Sequence, residues 1–168
     1  MSSSGVLEKS SAYPALRGKT SDSHLLCVLD GALLGIEALA VREVLPLPLV
    51  TPLREAPPQV AGVVNVRGAL VPVVDVRGAL GIPPQRARLS DVLIVLERSS
   101  EFAAIIVSEV RDVRPLSARA IENGPMKMAS GHGLVAGLAT VGDEIVQMLR
   151  LETVLHLGEV TEASDPAL

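Results

Sequence analysis

The sequence predicts a mainly β protein made of two similar halves of about five strands each. A short helix is expected after the last strand of each half. Three observations carry this expectation. The apolar residues come in short, β-branched bursts rather than at helical spacing. Tight-turn pairs separate the bursts. Blocks of the first half recur, in order, in the second.

Residues 25–29, 60–66, 70–74, 92–96, 103–107, 110–113, 134–141 and 145–149 read as strands. Asp30-Gly31, Arg67-Gly68 and Gly142-Asp143 are the turn signals between them. Pro72 cannot donate a ladder hydrogen bond, so its position is expected at an edge or a bulge. Asp75 is placed to cap a short helix over residues 76–80, with Gly81 just past its end. Residues 150–157 end in the same way at Gly158.

The repeat is specific in its residues. Val41-Arg42-Glu43-Val44-Leu45-Pro46-Leu47 returns roughly 70 residues later as Val110-Arg111-Asp112-Val113-Arg114-Pro115-Leu116. Val60-Ala61-Gly62-Val63 returns as Val135-Ala136-Gly137-Leu138, and residues 26–29 match 92–95. If Arg67 is skipped, Gly68 and Leu80 match Gly142 and Val154. Two small barrels related by a pseudo-two-fold axis follow, the first over residues 25–82 and the second over 90–157. Whether the first strand stays in its own barrel or crosses to the other is open. The organised domain is expected over residues 23–158. The Ser-rich residues 1–22 and residues 159–168 read as flexible tails.

Composition narrows the function. Of 168 residues, 48% are hydrophobic, yet there is one Tyr, one Phe and no Trp. The core must therefore be aliphatic, and the stacking platforms used for single-stranded nucleic acid are missing. A net charge of −4 and a pI near 5.4 argue against a phosphate-backbone partner. The mean hydropathy of +0.42 with 20% charged residues argues against disorder. Asp30 and Glu37 interrupt the longest apolar run, so no membrane-inserted helix is expected. With a single cysteine, Cys27, and no signal-peptide pattern, a cytoplasmic location is expected.

Catalytic chemistry finds no constellation. His24, His132 and His156 lack metal-ligand spacing, so no metal is expected. Cys27 sits in an apolar strand, as a small core hydrophobe would. Gly131-His132-Gly133 lacks the third glycine and the strand–helix context of a dinucleotide loop, so no cofactor is expected either. A deep polar pocket joining Glu43, Asp75 and His132 would be the mark of an enzyme or ligand-binding barrel. The distinctive segment is Asn65-Val66-Arg67-Gly68 followed by Pro72-Val73-Val74-Asp75-Val76-Arg77. Arg67 has no counterpart in the aligned second repeat. It either closes a rim ion pair with Glu43 or Asp75, or presents a planar fork that orders a partner's carboxylate.

This segment resembles the hallmark of the CheW family of bacterial chemotaxis coupling proteins, carried here by Gly62, Asn65, Val66, Arg67, Gly68, Pro72, Val73, Asp75, Val76 and Arg77. Val stands in place of Leu twice. The resemblance extends upstream through Gly35-Ile36-Glu37 and Val41 to Val44, and downstream from Gly137 to Leu155. It implies two five-stranded barrels of the Src-homology-3 kind around a shared apolar interface. It also implies a non-catalytic scaffold that links the cytoplasmic helical tip of a chemoreceptor to the regulatory domain of a CheA-type histidine kinase. The partner-binding positions it implies are Val41, Glu43, Gly62, Asn65 and Arg67. Arg111, Asp112, Arg114, Gln147 and Arg150 depart from the family's more apolar pattern. Alternating charge on a strand can remove a binding patch. A divergent accessory that binds receptors but not the kinase, and so limits or reshapes receptor arrays, is the alternative.

Overall fold

The computed structural model describes residues 22–116, 121–122 and 133–159. In chain order these form β1 (Ser23–Leu29), β2 (Ala32–Glu37), a 3-10 turn (Ala38–Ala40), β3 (Val41–Pro46), β4 (Val60–Val66) and β5 (Ala69–Val74). A second 3-10 turn (Gly78–Leu80) leads to β6 (Val92–Arg98), β7 (Glu101–Val107), β8 (Glu109–Pro115), β9 (Ile121–Glu122), β10 (Val135–Val141), β11 (Glu144–Leu149) and helix α1 (Leu151–Leu157). The protein is mainly β, as its β-branched bursts require. Three strands do not stand out in the sequence, one of them the two-residue β9. In β2 the run Leu33–Ile36 is buried on both faces, so no alternation marks it. In β3, Arg42 and Glu43 break the pattern, yet Glu43 is buried.

One sheet has the order β8-β1-β2-β11-β10-β9 and the other β3-β6-β7-β5-β4. Leaving out the two-residue β9, the first order becomes the second when each strand is replaced by its repeat partner. The bulges repeat as well. Arg42 is the extra residue between β3 and β6, and Arg111 is the extra residue between β8 and β1. Ala61 and Ala136 take the same part in the β4–β5 and β10–β11 pairs. Short parallel contacts, Val73 with Ala104 and Met148 with Gly35, complete both lobes. The turns Arg67-Gly68 and Gly142-Asp143 each join a two-residue hairpin, Val66 facing Ala69 and Val141 facing Glu144. Arg67 therefore does have a counterpart, Gly142. What the second lobe lacks is the side chain.

The sheets do not follow the halves of the chain. Hairpin β1–β2 joins the strands of the second half, and hairpin β6–β7 joins those of the first. Each half thus gives one hairpin to the other lobe. Three apolar clusters result. Val64, Val71, Leu93 and Val95 fill one lobe, and Leu26, Leu33, Val146 and Met148 fill the other. The largest cluster, including Leu25, Leu34, Ile36, Ile94, Ile105, Leu149, Leu151 and Leu155, lies between the sheets and draws on both.

Each lobe is an open ladder of the Src-homology-3 kind rather than a closed ring. The outer strands β3 and β8 share the same protection: a bulged arginine near the start and a proline at the end, Pro46 or Pro115. Both devices discourage pairing with a foreign strand. Pro72 is not at an edge, since β5 lies between β7 and β4. Val63 directs its N–H and C=O to Thr51 on its far side, so Val63 and Pro72 face one another without hydrogen bonds. The Pro72 nitrogen then points toward β7, where the ladder covers only Val73 and Val74. No donor is needed there.

The helical expectations shorten at one end. Asp75 Oδ1 accepts the Arg77 N–H at 3.0 Å, and only Gly78–Leu80 is helical. Gly81 closes this turn with φ +71°. Gly158 has a right-handed φ of −82°, so it is not a left-handed cap. Instead, a β-carbon there would lie 3.2 Å from Val74 and 3.3 Å from Ala103. It lets the end of α1 press onto the other lobe's sheet.

Cys27 is fully buried, and burial pushes its thiol from 9.0 up to about 12. The unfolded chain loses this proton first as pH rises. The contribution is therefore complete below pH 9.0 and is lost toward pH 12. Denaturation midpoints are expected to fall above that lower limit, by about 1.4 kcal/mol per pH unit from this group. At pH 8, a thiol reagent should label the protein only as it unfolds.

Candidate partner-binding site

The site begins with the bulge in β3. The extra residue, Arg42, is exposed, whereas Glu43 turns inward and retains 5% exposure. Arg67 stands at the tip of the β4–β5 hairpin with φ +56°, followed by Gly68 at +84°. Two successive positive φ values define the turn that suits the strand twist, and a non-glycine residue adopts the first of them at a conformational cost. Asn65 Oδ1 accepts the Gly68 N–H at 2.8 Å and fixes the turn.

This turn delivers the Arg67 guanidinium to Glu43. Nε donates to Oε1 at 3.3 Å and Nη2 to Oε2 at 3.1 Å, a two-pronged pair. Glu43 and Arg67 belong to β3 and the β4–β5 turn, on opposite flanks of the open sheet. The pair therefore joins the two sides of the curled sheet where the backbone ladder does not. A buried carboxylate needs such a partner. The arginine side chain itself keeps 41% exposure, so a polar, outward group is held in place by an inward one.

The remaining predicted positions play different structural parts. Val41 is 2% exposed and faces Leu96. Gly62 is buried beneath Thr51, whose carbonyl oxygen would sit 2.3 Å from an added β-carbon. Asp75 does not reach Arg67; it contacts Arg77, at 3.6 Å. Arg77 in turn donates from Nε to Asp30 Oδ2 at 2.7 Å, and both side chains are nearly inaccessible.

A hollow of about 120 Å³ opens beside Arg67. Arg42 lies on its wall with its guanidinium 5.5 Å from the centroid of the Phe102 ring, within the range of a cation–π contact. Neither residue is signalled by the sequence, because no local motif announces a bulge.

The opposite lobe uses different chemistry at the equivalent place. Arg111 Nη1 donates to Glu144 at 2.9 Å and Arg111 Nε to Glu109 at 3.3 Å, all three side chains being exposed. The hydrogen bonds that Arg111 donates to Glu144 and Glu109 raise its pKa. Arg114 pairs with Asp112 in the same strand, and Arg150 donates to the Gly133 carbonyl. The charges of the second half thus satisfy one another on a solvated face.

No enzyme-like convergence joins the titratable groups among the described residues. His24 Nδ1 lies 2.8 Å from the Asp22 carbonyl, and His156 is exposed beside Glu159. Glu43 is taken up by Arg67, while Asp75 lines a separate cleft of about 780 Å³ with Gln59, Thr153 and His156. His132 and the loop around it fall outside the described residues, as do residues 1–21 and 160–168. No group of three His, Cys, Asp or Glu suited to a metal occurs among the described residues. No helix among them is long and apolar enough to cross a membrane.

An interlocked pair of lobes with a braced surface arginine defines a binding scaffold of the two-lobed β class. A family model for the CheW-like domain matches residues 23–159, and the chain belongs to the CheW family. It is 30% identical over 121 residues to a chemotaxis protein CheW of Rhizobium meliloti, covering 71% of this chain and 77% of that protein. Against the chemotaxis protein CheW of Klebsiella aerogenes it is 28% identical over 147 residues, covering 86% and 89%. The crystal structure of the scaffolding protein TtCheW from Thermoanaerobacter tengcongensis superposes with a TM-score of 0.71 at 26% identity, covering 79% of this chain and 90% of that one.

Proposed function

We propose that residues 23–158 act as a cytoplasmic chemotaxis coupling adaptor, binding the helical tip of a chemoreceptor and the regulatory domain of a CheA-type histidine kinase without chemistry of their own. The observation that carries this reading is the exposed Arg67 fork braced by buried Glu43, within a chain of the CheW family. A guanidinium already ordered by its own protein gives up little freedom when it meets a partner's carboxylate or amide. In this reading Arg67 makes the contact, Asn65 and Glu43 hold it, and Val41 and Gly62 shape the surface from below. Failure of the purified protein to bind either the receptor fragment or the kinase in a reconstituted mixture would sink the proposal.

Substitution at Arg67 must separate contact from bracing. Arg67→Glu does not, because it leaves buried Glu43 beside a second carboxylate. Arg67→Lys keeps a cation over Glu43 but loses the fork. It is expected to weaken receptor binding by roughly tenfold, the equivalent of one good hydrogen bond, with a melting temperature within a few degrees of the parent. A lysine variant that binds like the parent would assign Arg67 to structure alone. The charged face of β8 favours a second reading, an accessory that binds receptors but not the kinase. Titration of the kinase regulatory domain by itself separates the two.

A further inference from the structure

We infer that Arg42 and Arg67 form a clamp over an apolar hollow that receives one aliphatic side chain of a receptor helix, with carboxylates on that helix meeting the two guanidinium groups. The inference rests on the receptor-binding reading and names the chemistry recognised there. Val66, Ala69, Val71, Val95 and Phe102 line the hollow together with the two arginines. Its volume of about 120 Å³ suits a single side chain rather than a small-molecule ligand.

Both arginines are braced in a way that leaves donors over. Arg42 spends Nη1 on Glu97 and lays its guanidinium over Phe102. Arg67 spends Nε and Nη2 on Glu43. Arg42 Nε and Nη2 and Arg67 Nη1 meet no acceptor among the described residues, and the two side chains keep 50% and 41% exposure. A guanidinium carries five N–H donors, so each can donate to a further carboxylate. Glu97 and Glu43 cancel the charge of the pair at long range. Recognition then depends on short-range hydrogen bonds around an apolar plug, not on electrostatic steering. A helix satisfies this geometry directly, because residues three and four apart share a face. An aliphatic residue with acidic residues one turn before and after it presents the required triplet.

The probe is a purified cytoplasmic fragment of a chemoreceptor from the same organism, titrated calorimetrically into the full chain. Arg42→Gln keeps most of the stem and removes the charge. Ala69→Phe, at an exposed position, fills the hollow. Each is expected to weaken binding about five- to tenfold with melting temperature preserved. If the parent binds the fragment and both variants match it, the clamp is overturned while the coupling reading stands. If the parent binds neither fragment nor kinase, the coupling reading falls and takes the clamp with it.

Discussion

Arg77→Ala is expected to lower the unfolding free energy by about 3–5 kcal/mol, the usual cost of stranding one partner of a buried ion pair. Asp30, which would be stranded, lies in the β1–β2 turn, whereas Arg77 follows β5. The pair therefore fastens the donated hairpin to the half that donated it, across the boundary between lobes. Urea denaturation would measure the loss. The double variant Asp30→Ala with Arg77→Ala should recover part of it, because neither charge is then left alone. The repeat supplies a control. Arg98, beside the β6–β7 turn, reaches Glu152 in α1 and Glu37 at the end of β2. This is the same fastening with its polarity reversed, but its groups are partly to largely exposed. Arg98→Ala should cost no more than about 1 kcal/mol. Equal losses at the two sites would overturn the claim that burial separates them.

Gly62→Ala comes next in expected effect, at about 3 kcal/mol. Two causes add: φ is +154°, a conformation that disfavours a side chain, and the new methyl would collide with the Thr51 carbonyl. Thr51 covers the outer side of β4 through paired hydrogen bonds of 2.9 Å with Val63. Pushing it away would uncover that strand. Faster amide exchange at Val63, measured together with the shift in denaturation midpoint, would show this. Unchanged exchange with unchanged stability would mean that the chain absorbs the methyl elsewhere. A loss of partner binding in such a variant would report on the shape of the surface, since Gly62 itself is covered.

Much of the architecture was legible in the residues, for reasons that can be named. Strands with β-branched bursts and a solvent face advertise themselves, and Asp30-Gly31 and Arg67-Gly68 mark their hairpins. The duplication was visible because both copies of β3 and β8 keep Val-Arg-acid-Val and a terminal proline. β2 stayed hidden because burial on both faces removes alternation. The two-way hairpin exchange also stayed hidden, because nothing local in β1 or β6 states which sheet it will join. At the site, the hallmark residues pointed to Arg67 but left Glu43 and Asp75 as equal partners for it. Only the curl that brings β3 to the β4–β5 turn selects Glu43. Arg42 and Phe102 come together through a bulge and a neighbouring strand, and no spacing rule connects them.

The exchange of hairpins also sets a timetable for synthesis. Strands β3 to β5 cannot complete their sheet until β7, ending at Val107, has left the ribosome, and β1–β2 must wait for β11, ending at Leu149. Neither half has a finished partner surface while it is being made. The nascent chain thus carries the unpaired edge of β2 until β11 has emerged. Domains usually fold in turn from the N-terminus. Here β2, near the start of the chain, must find β11 late, with the slow closure that such long-range pairing entails.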